Sequence, residues 1–340
     1  MPAARSGTIG TVKDDDGYDG PIGYVFAVAD NPFCCWDFDH PGRTLDFLEG
    51  IDPDHFGTLS TLFAGGLETD DEIAISIALR TTYQQGVETL MSLLGAAVQA
   101  PSAIPAWIAH CQTNDLKDVV GRLRDGRPML TQVGRKSVSF LDLSEHIHRF
   151  AWADESGDTS TAARYGRFWR QLSTEFLDET ARAEYNALKH GNRVVGGGFT
   201  LAIGVEEVPG VPAPAEAMRP MGGSRFGSTF LVSERVGISK HHIRTRHTSI
   251  NWSPEALALR LGLISMSIAN VIGALRCGLG ADPTTVEFVR PDPLDAVDEV
   301  WQTERGSKSF AMDSIIRIDE SDEIPKAELL DILEKRGSSK

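Results

Sequence analysis

The run Leu261–Leu275 sets the hardest condition on how this chain can fold, because it passes from Arg260 to Arg276 without a single charge. Leu257, Leu261, Ile264, Ile268, Val271 and Leu275 recur at helical spacing and form one stripe. Leu259, Leu263 and Met266 lie elsewhere around the same helix, so it is apolar on nearly every side. Ser253-Pro254 supplies a start, a capping residue followed by proline at the first helical position, and Gly278 and Gly280 supply the end. The uncharged run is shorter than the ~20 residues a membrane span needs. The expectation is a central buried helix over 253–279, with no membrane partner.

Three further long or segmented helices are expected around it. Thr69-Asp-Asp-Glu72 has the form of a capping box and opens a helix that runs to Ala100, where Pro101 stops it. Val87, Leu90, Met91, Leu94, Ala97 and Val98 form its core stripe. Shorter helical segments follow at Pro105–His110 and Asp115–Arg124. Asp125 to Gly157 reads as a loop that holds the apolar patch Val138–Leu143 and the pair His146/His148. Such a His-x-His pair binds metal from a strand, but it is more often packed or on the surface. The third long helix spans about 159–190. Strands are expected at Ile22–Ala29, Phe199–Val205, Ser228–Ser233, His242–Ile250, Val286–Val289 and Ser314–Ile318, and a last short helix at Pro325 to Lys335. The fold class that results is mainly α, a four-helix bundle with a small β insertion at 197–252 between the third and fourth long helices. The bundle occupies 69–281. A disordered N-terminus (1–20) and a strand and loop segment (21–68) precede it, and an acidic extension (282–340) follows.

At 340 residues, 41% hydrophobic and 24% charged, the chain has the composition of an ordinary soluble protein with a sizeable core. Its net charge of -15 argues against indiscriminate coating of nucleic acid. Yet residues 219–247 carry six Lys/Arg against one Glu, a basic island suited to a confined anionic partner. Cys34, Cys35, Cys111 and Cys277 lack metal-ligand spacing and are expected to be reduced thiols of a cytoplasmic protein. No apolar leader follows Met1-Pro-Ala-Ala-Arg-Ser-Gly. Asp37, Asp39 and His40 are an isolated trio of potential ligands, so neither a metal nor a cofactor is expected. Walker-type, Gly-x-Ser-x-Gly and His-Glu-x-x-His motifs do not occur.

The densest set of hydrogen-bonding side chains is Glu184-Tyr-Asn-Ala-Leu-Lys-His-Gly191, at the end of the third helix. Counting 100° per residue, Phe168, Leu172, Phe176, Ala183 and Ala187 share the core face. His190 lies five turns beyond Leu172, and Asn186 stands in the same relation to Phe168. Both are therefore expected to point inward. One reading is a structural latch, in which His190 and Asn186 bond loop carbonyls and Lys189 complements the helix dipole. The other is a polar active or binding cleft. In the β insertion His242, Arg244, Arg246 and Thr248 share one face of an extended strand, either a solvated surface or a nucleic-acid contact.

Tyr185-Asn-Ala-Leu-Lys-His-Gly191, together with Val87-Glu-Thr-Leu-Met-Ser-Leu-Leu-Gly-Ala-Ala-Val-Gln-Ala-Pro101, resembles the HEPN-like superfamily of helical-bundle proteins, many of them bacterial and uncharacterised. The resemblance covers about 69–124, 159–193 and 253–279. It implies an RNA- or nucleotide-binding module, a homodimer, and a stress-response or host-defence setting. Catalytic members are metal-independent ribonucleases with an Arg a few residues before the His. Here Asn186 and His190 match the polar residue and the His, but Tyr185 stands in the Arg position. As an endoribonuclease, the chain would use His190 as general acid or base. Lys189 or Arg193 would stabilise the phosphorane and Asn186 would orient the imidazole. As a binder, the same residues hold RNA, a nucleotide or a partner's loop without chemistry, and Tyr185 and the acidic charge favour this alternative.

Overall fold

The computed structural model describes residues 23–36, 39–190, 193–206, 208–301, 309–312 and 323–337. The chain divides into two compact units, one formed by 1–182 with 254–304 and the other by 183–253 with 305–340.

The first unit opens with a hairpin of β1 (Tyr24–Val28) and β2 (Asn31–Cys35), followed by α1 (His40–Gly50) and α2 (His55–Gly66). The long α3 (Glu72–Gln99) then leads into α4 (Ile104–His110) and α5 (Thr113–Asp125). A second hairpin, β3 (Pro128–Thr131) with β4 (Gly134–Ser137), precedes α6 (Phe140–Trp152) and α7 (Thr161–Leu177). α8 (Glu179–Lys189) carries the chain into the second unit. There β5 (Val194–Gly196), β6 (Thr200–Ile203), β7 (Arg219–Gly223), β8 (Gly227–Arg235) and β9 (Ile243–Asn251) follow. The chain re-enters the first unit as α9 (Pro254–Gly278) and α10 (Ala296–Glu299), and the second supplies β10 (Ser309–Met312) and α11 (Lys326–Gly337).

The helix α9 begins at Pro254 and is the spine of the first unit. Leu257, Leu261, Ile264, Ile268, Val271 and Leu275 are all buried, against α3 and α2 along its length and α6 beside them. Its composition and length would allow it to cross a membrane, but 78% of its most apolar window is buried inside the fold. The flanking Arg260 is buried as well, at 1% exposure. Its guanidinium lies 4.0 Å from the Trp301 ring, donates to the Val300 carbonyl at 3.2 Å and reaches Glu175 at 3.4 Å. Glu175 in turn accepts the Tyr83 hydroxyl at 2.6 Å, so the buried cation is met by a carboxylate, a carbonyl and an aromatic face.

The four-helix bundle is overturned. The chain is mainly α, 55% helical, but divided over many more helices and several small antiparallel sheets. Three local causes account for the difference. The segment before residue 69 folds into α1 and α2, whose starts and ends at Gly42, Gly50, Gly57, Gly65 and Gly66 hid their helical character. Thr69 spends its hydroxyl on the Gly66 carbonyl at the end of α2 rather than on a capping box, and α3 starts at Glu72. The stretch taken for a loop forms the β3–β4 hairpin and α6, which Ser139 and Asp142 cap reciprocally. Val286–Val289 is not a strand. Asn270 of α9 pairs with Val289 through both amide atoms, at 2.8 Å each, and holds this segment against the core. The expectations of a disordered 1–20 and of a strand at 314–318 lie outside the described residues.

The pair His146/His148 belongs to α6, and His148 is a core residue at 1% exposure. Its Nδ1 lies 2.9 Å from the Ser144 carbonyl and its ring stacks on Tyr165 at 4.9 Å. Burial pulls its pKa down to about 4, against the smaller opposing pull of the Ser144 carbonyl. Between pH 6.5 and 4 the unfolded chain therefore takes up a proton that the folded chain refuses, so stability falls as the pH drops through this window. We expect wild type to lose about 2 kcal/mol from this group between pH 7 and 5. Urea titrations at the two pH values should show a smaller loss for His148→Phe, and an equal loss in both proteins would remove His148 from the acid limb.

Candidate functional site at the end of α8

One residue decides where the α8 side chains point. Asp178 has an extended backbone (φ -68, ψ 127) that stops α7, and its Oδ1 accepts the Ala181 N–H at 2.8 Å to start α8. The expected single helix over 159–190 is thus two helices, and a count of 100° per residue does not carry across the break. α8 sets its own phase and buries Glu184, Ala187 and Leu188. Asn186, Lys189 and His190 are exposed. The inward orientation expected for Asn186 and His190 is corrected on this ground.

The chain then turns back on the helix end. Arg193 donates its backbone N–H to the Ala187 carbonyl at 2.8 Å, and its Nη2 lies 3.4 Å from the Asn186 carbonyl. Lys189 lies over the Tyr185 ring, with Nζ 5.2 Å from the centroid. Among the described residues none hydrogen-bonds the His190 ring; Gly191, which closes the motif, lies outside them. The last turn therefore presents Asn186, Lys189, His190 and Arg193 outward together. Their cations suit the negative end of the helix dipole. The inward polar group on α8 is Glu184, fully buried and accepting the Ser228 hydroxyl at 2.6 Å. The sequence reading passed over Glu184 because the phase carried from α7 does not put it on the core face.

The neighbouring sheet has the order β10-β9-β8-β5, antiparallel throughout. Ser228, Phe230, Val232 and Glu234 of β8 pair with Ile250, Thr248, Arg246 and Arg244 of β9, and strand alternation sets these residues on one face. Since Ser228 bonds Glu184, α8 stands on that same side. The expected alignment of Arg244, Arg246 and Thr248 is present, whereas His242 precedes β9 and its Nε2 meets the Ile324 backbone N–H at 3.1 Å. Glu234 occupies both arginines, at 2.9 Å from Arg244 and 2.6 Å from Arg246. That internal counter-ion was missed, although Glu234 is the one acid of the basic island.

The triple glycine after the motif serves a close backbone crossing. A Cβ on Gly198 would lie 2.2 Å from the Ser224 carbonyl oxygen and 2.7 Å from that of Phe226. The neighbouring Phe199 backbone is held from both sides by the Asn251 amide, at 2.9 Å each. Among the described residues no group of His, Cys, Asp and Glu has a metal-binding arrangement. Asp37 of the candidate trio lies outside them, while Asp39 caps α1 through the Gly42 N–H. No protein-family model, no curated protein and no solved structure matches the chain.

These placements separate a structural residue from a surface one. Glu184→Ala should lower stability by roughly 1–3 kcal/mol, because the Ser228 hydroxyl is left buried and unpaired. His190→Ala should leave the thermal midpoint unchanged. A drop of several degrees in the His190 variant would instead give that ring a packed, latch-like role.

Proposed function

We propose that this chain is an RNA- or nucleotide-binding module whose contact surface is the outward last turn of α8 and the adjoining basic strand. The observation that carries the reading is the joint exposure of Lys189, His190 and Arg193 within one helix end, with Arg193 folded back onto the Asn186 carbonyl. Lys189 and Arg193 supply charge for phosphate oxygens, and His190, Asn186 and the Tyr185 ring supply hydrogen bonds and a stacking surface. The HEPN-like resemblance of Tyr185–Gly191 is the sequence half of the argument. Binding is favoured over cleavage because Tyr185 stands where the catalytic members of that superfamily carry an Arg.

Arg244 and Arg246 extend the surface along the sheet, with Glu234 as a competing internal anion. Val232 and Glu234, opposite Arg246 and Arg244, lie four and six residues from Ser228 on β8, so the Glu184–Ser228 contact and the two arginines are separated by roughly 13 to 20 Å along the strand. That length spans several nucleotides of single-stranded RNA.

The test is fluorescence anisotropy with a labelled single-stranded RNA. Affinity should fall with salt at a slope of about -0.7 per phosphate contact, and Lys189→Ala with Arg193→Ala should lower the slope by roughly 1.4. Glu234→Gln should tighten binding a few-fold by removing a negative charge beside Arg244 and Arg246. Absence of binding at low salt, or an unchanged slope in the double variant, would reject this surface. Metal-free RNA cleavage by wild type that disappears in His190→Ala would replace the binder by the endoribonuclease.

A further inference from the structure

The first unit contains a groove of about 1400 Å³ lined by its own residues. Its floor is the less covered side of α9, where Leu259 is exposed and Gly262, Met266 and Ala269 are part-exposed amid an otherwise buried helix. One wall is α2, running antiparallel to α9. Ser60 Oγ donates to the Ala258 carbonyl at 2.7 Å, and Ser265 Oγ donates to the Pro53 carbonyl at 2.8 Å. The other wall is the segment around Val286–Val289, fixed by the Asn270 amide pair and by the close approach of Val286 to Gly273. Leu62 on the α2 wall is 66% exposed and Leu259 on the floor 58%.

From Leu259 to Ala269 the floor is about 15 Å long, close to three turns of helix. The small residues Gly262 and Ala269 let a second backbone come near, and the apolar stripe matches the i, i+3, i+4 face of an amphipathic helix. The charge on the walls selects among occupants. Exposed carboxylates stand on both sides, Asp54 just before α2 and Glu287 on the opposite segment, while Arg276 at the far end is bonded to Glu49 at 3.3 Å. Lys or Arg side chains flanking an apolar helix face would reach both walls. Acidic walls repel anionic lipid headgroups. A floor recessed between two walls also prevents a second copy from inserting its own α9. We infer that the groove receives a partner protein's amphipathic helix, apolar on the face that meets α9 and basic along its flanks.

The experiment uses the full-length protein and a fluorescein-labelled synthetic peptide of ~18 residues, with leucines at helical i, i+3, i+4, i+7 spacing and lysines elsewhere. Two controls accompany it, the same pattern with glutamates for lysines and a scrambled Leu/Lys peptide of equal composition. Anisotropy should show the patterned Leu/Lys peptide binding at least about tenfold tighter than either control. An added Cβ at Gly262 meets no atom within 4 Å, so Gly262→Phe should fold as wild type and lose about tenfold in peptide affinity. If its melting curve shows misfolding, Asp54→Asn with Glu287→Gln keeps the floor intact and should weaken the Leu/Lys peptide and reduce its salt dependence. Equal binding of patterned and scrambled peptides overturns the inference. So does wild-type affinity in a folded Gly262→Phe protein, or preferential binding to vesicles containing phosphatidylserine.

Discussion

The requirement to cover α9 on nearly all sides organises the first unit. A helix with Leu, Ile and Val around its circumference is stable in water only when several elements surround it. α2 and α3 lie along it, α6 packs beside them, and Arg260 brings a charge into the same core. That charge is tolerated because Glu175, the Val300 carbonyl and the Trp301 ring converge on it. Burial pushes the Tyr83 phenol well above its ordinary pKa, so its hydroxyl stays a donor to Glu175. Removing Glu175 would take the acceptor from the Tyr83 hydroxyl and the carboxylate from beside Arg260, which ties α7 to this part of α3 and α9.

Where the chain is not regular, single amide side chains replace the missing ladder. Gln99 pairs with both backbone groups of Ala29, Asn270 with both of Val289, and Asn251 with both of Phe199. A primary amide offers one acceptor and two donors in a plane and so mimics a peptide unit of a neighbouring strand. Each pair satisfies a backbone N–H and C=O that would otherwise be costly to bury. Ala29 needs this support most, since it holds a positive φ of 53° at the tip of the β1–β2 hairpin. Gln99 also donates to the Leu130 carbonyl and accepts from the Trp107 indole, tying both hairpins to the end of α3.

What the sequence made legible follows the strength of local signals. The start of α9 at Pro254 and its core stripe were readable because capping and periodicity agree over many turns. The strands β8 and β9 were readable from β-branched and alternating residues. The helices α1 and α2 were not, since glycines at their ends and within them mask a short apolar pattern. α6 was hidden by its two histidines, one of which turns out to be core. The amide pairs cannot be read at all, because a Gln and an Ala seventy positions apart leave no local mark. At the candidate site the residue identities were legible and their orientation was not. Orientation depends on Asp178, whose extended backbone interrupts an otherwise good helical sequence.

That interruption also bears on what the surface can recognise. With the break, the buried polar role passes to Glu184 and the last turn of α8 faces outward. On the same side of the sheet, Glu234 holds Arg244 and Arg246, so a ligand there must outcompete a carboxylate already in place. A single carboxylate ligand gains little from such an exchange, because it replaces one anion by another of equal charge. A polyanion gains more, since Lys189 and Arg193 add to the attraction while its next phosphate displaces Glu234. Under the proposed function, Glu234 sets a charge threshold that favours a chain of phosphates over isolated small anions.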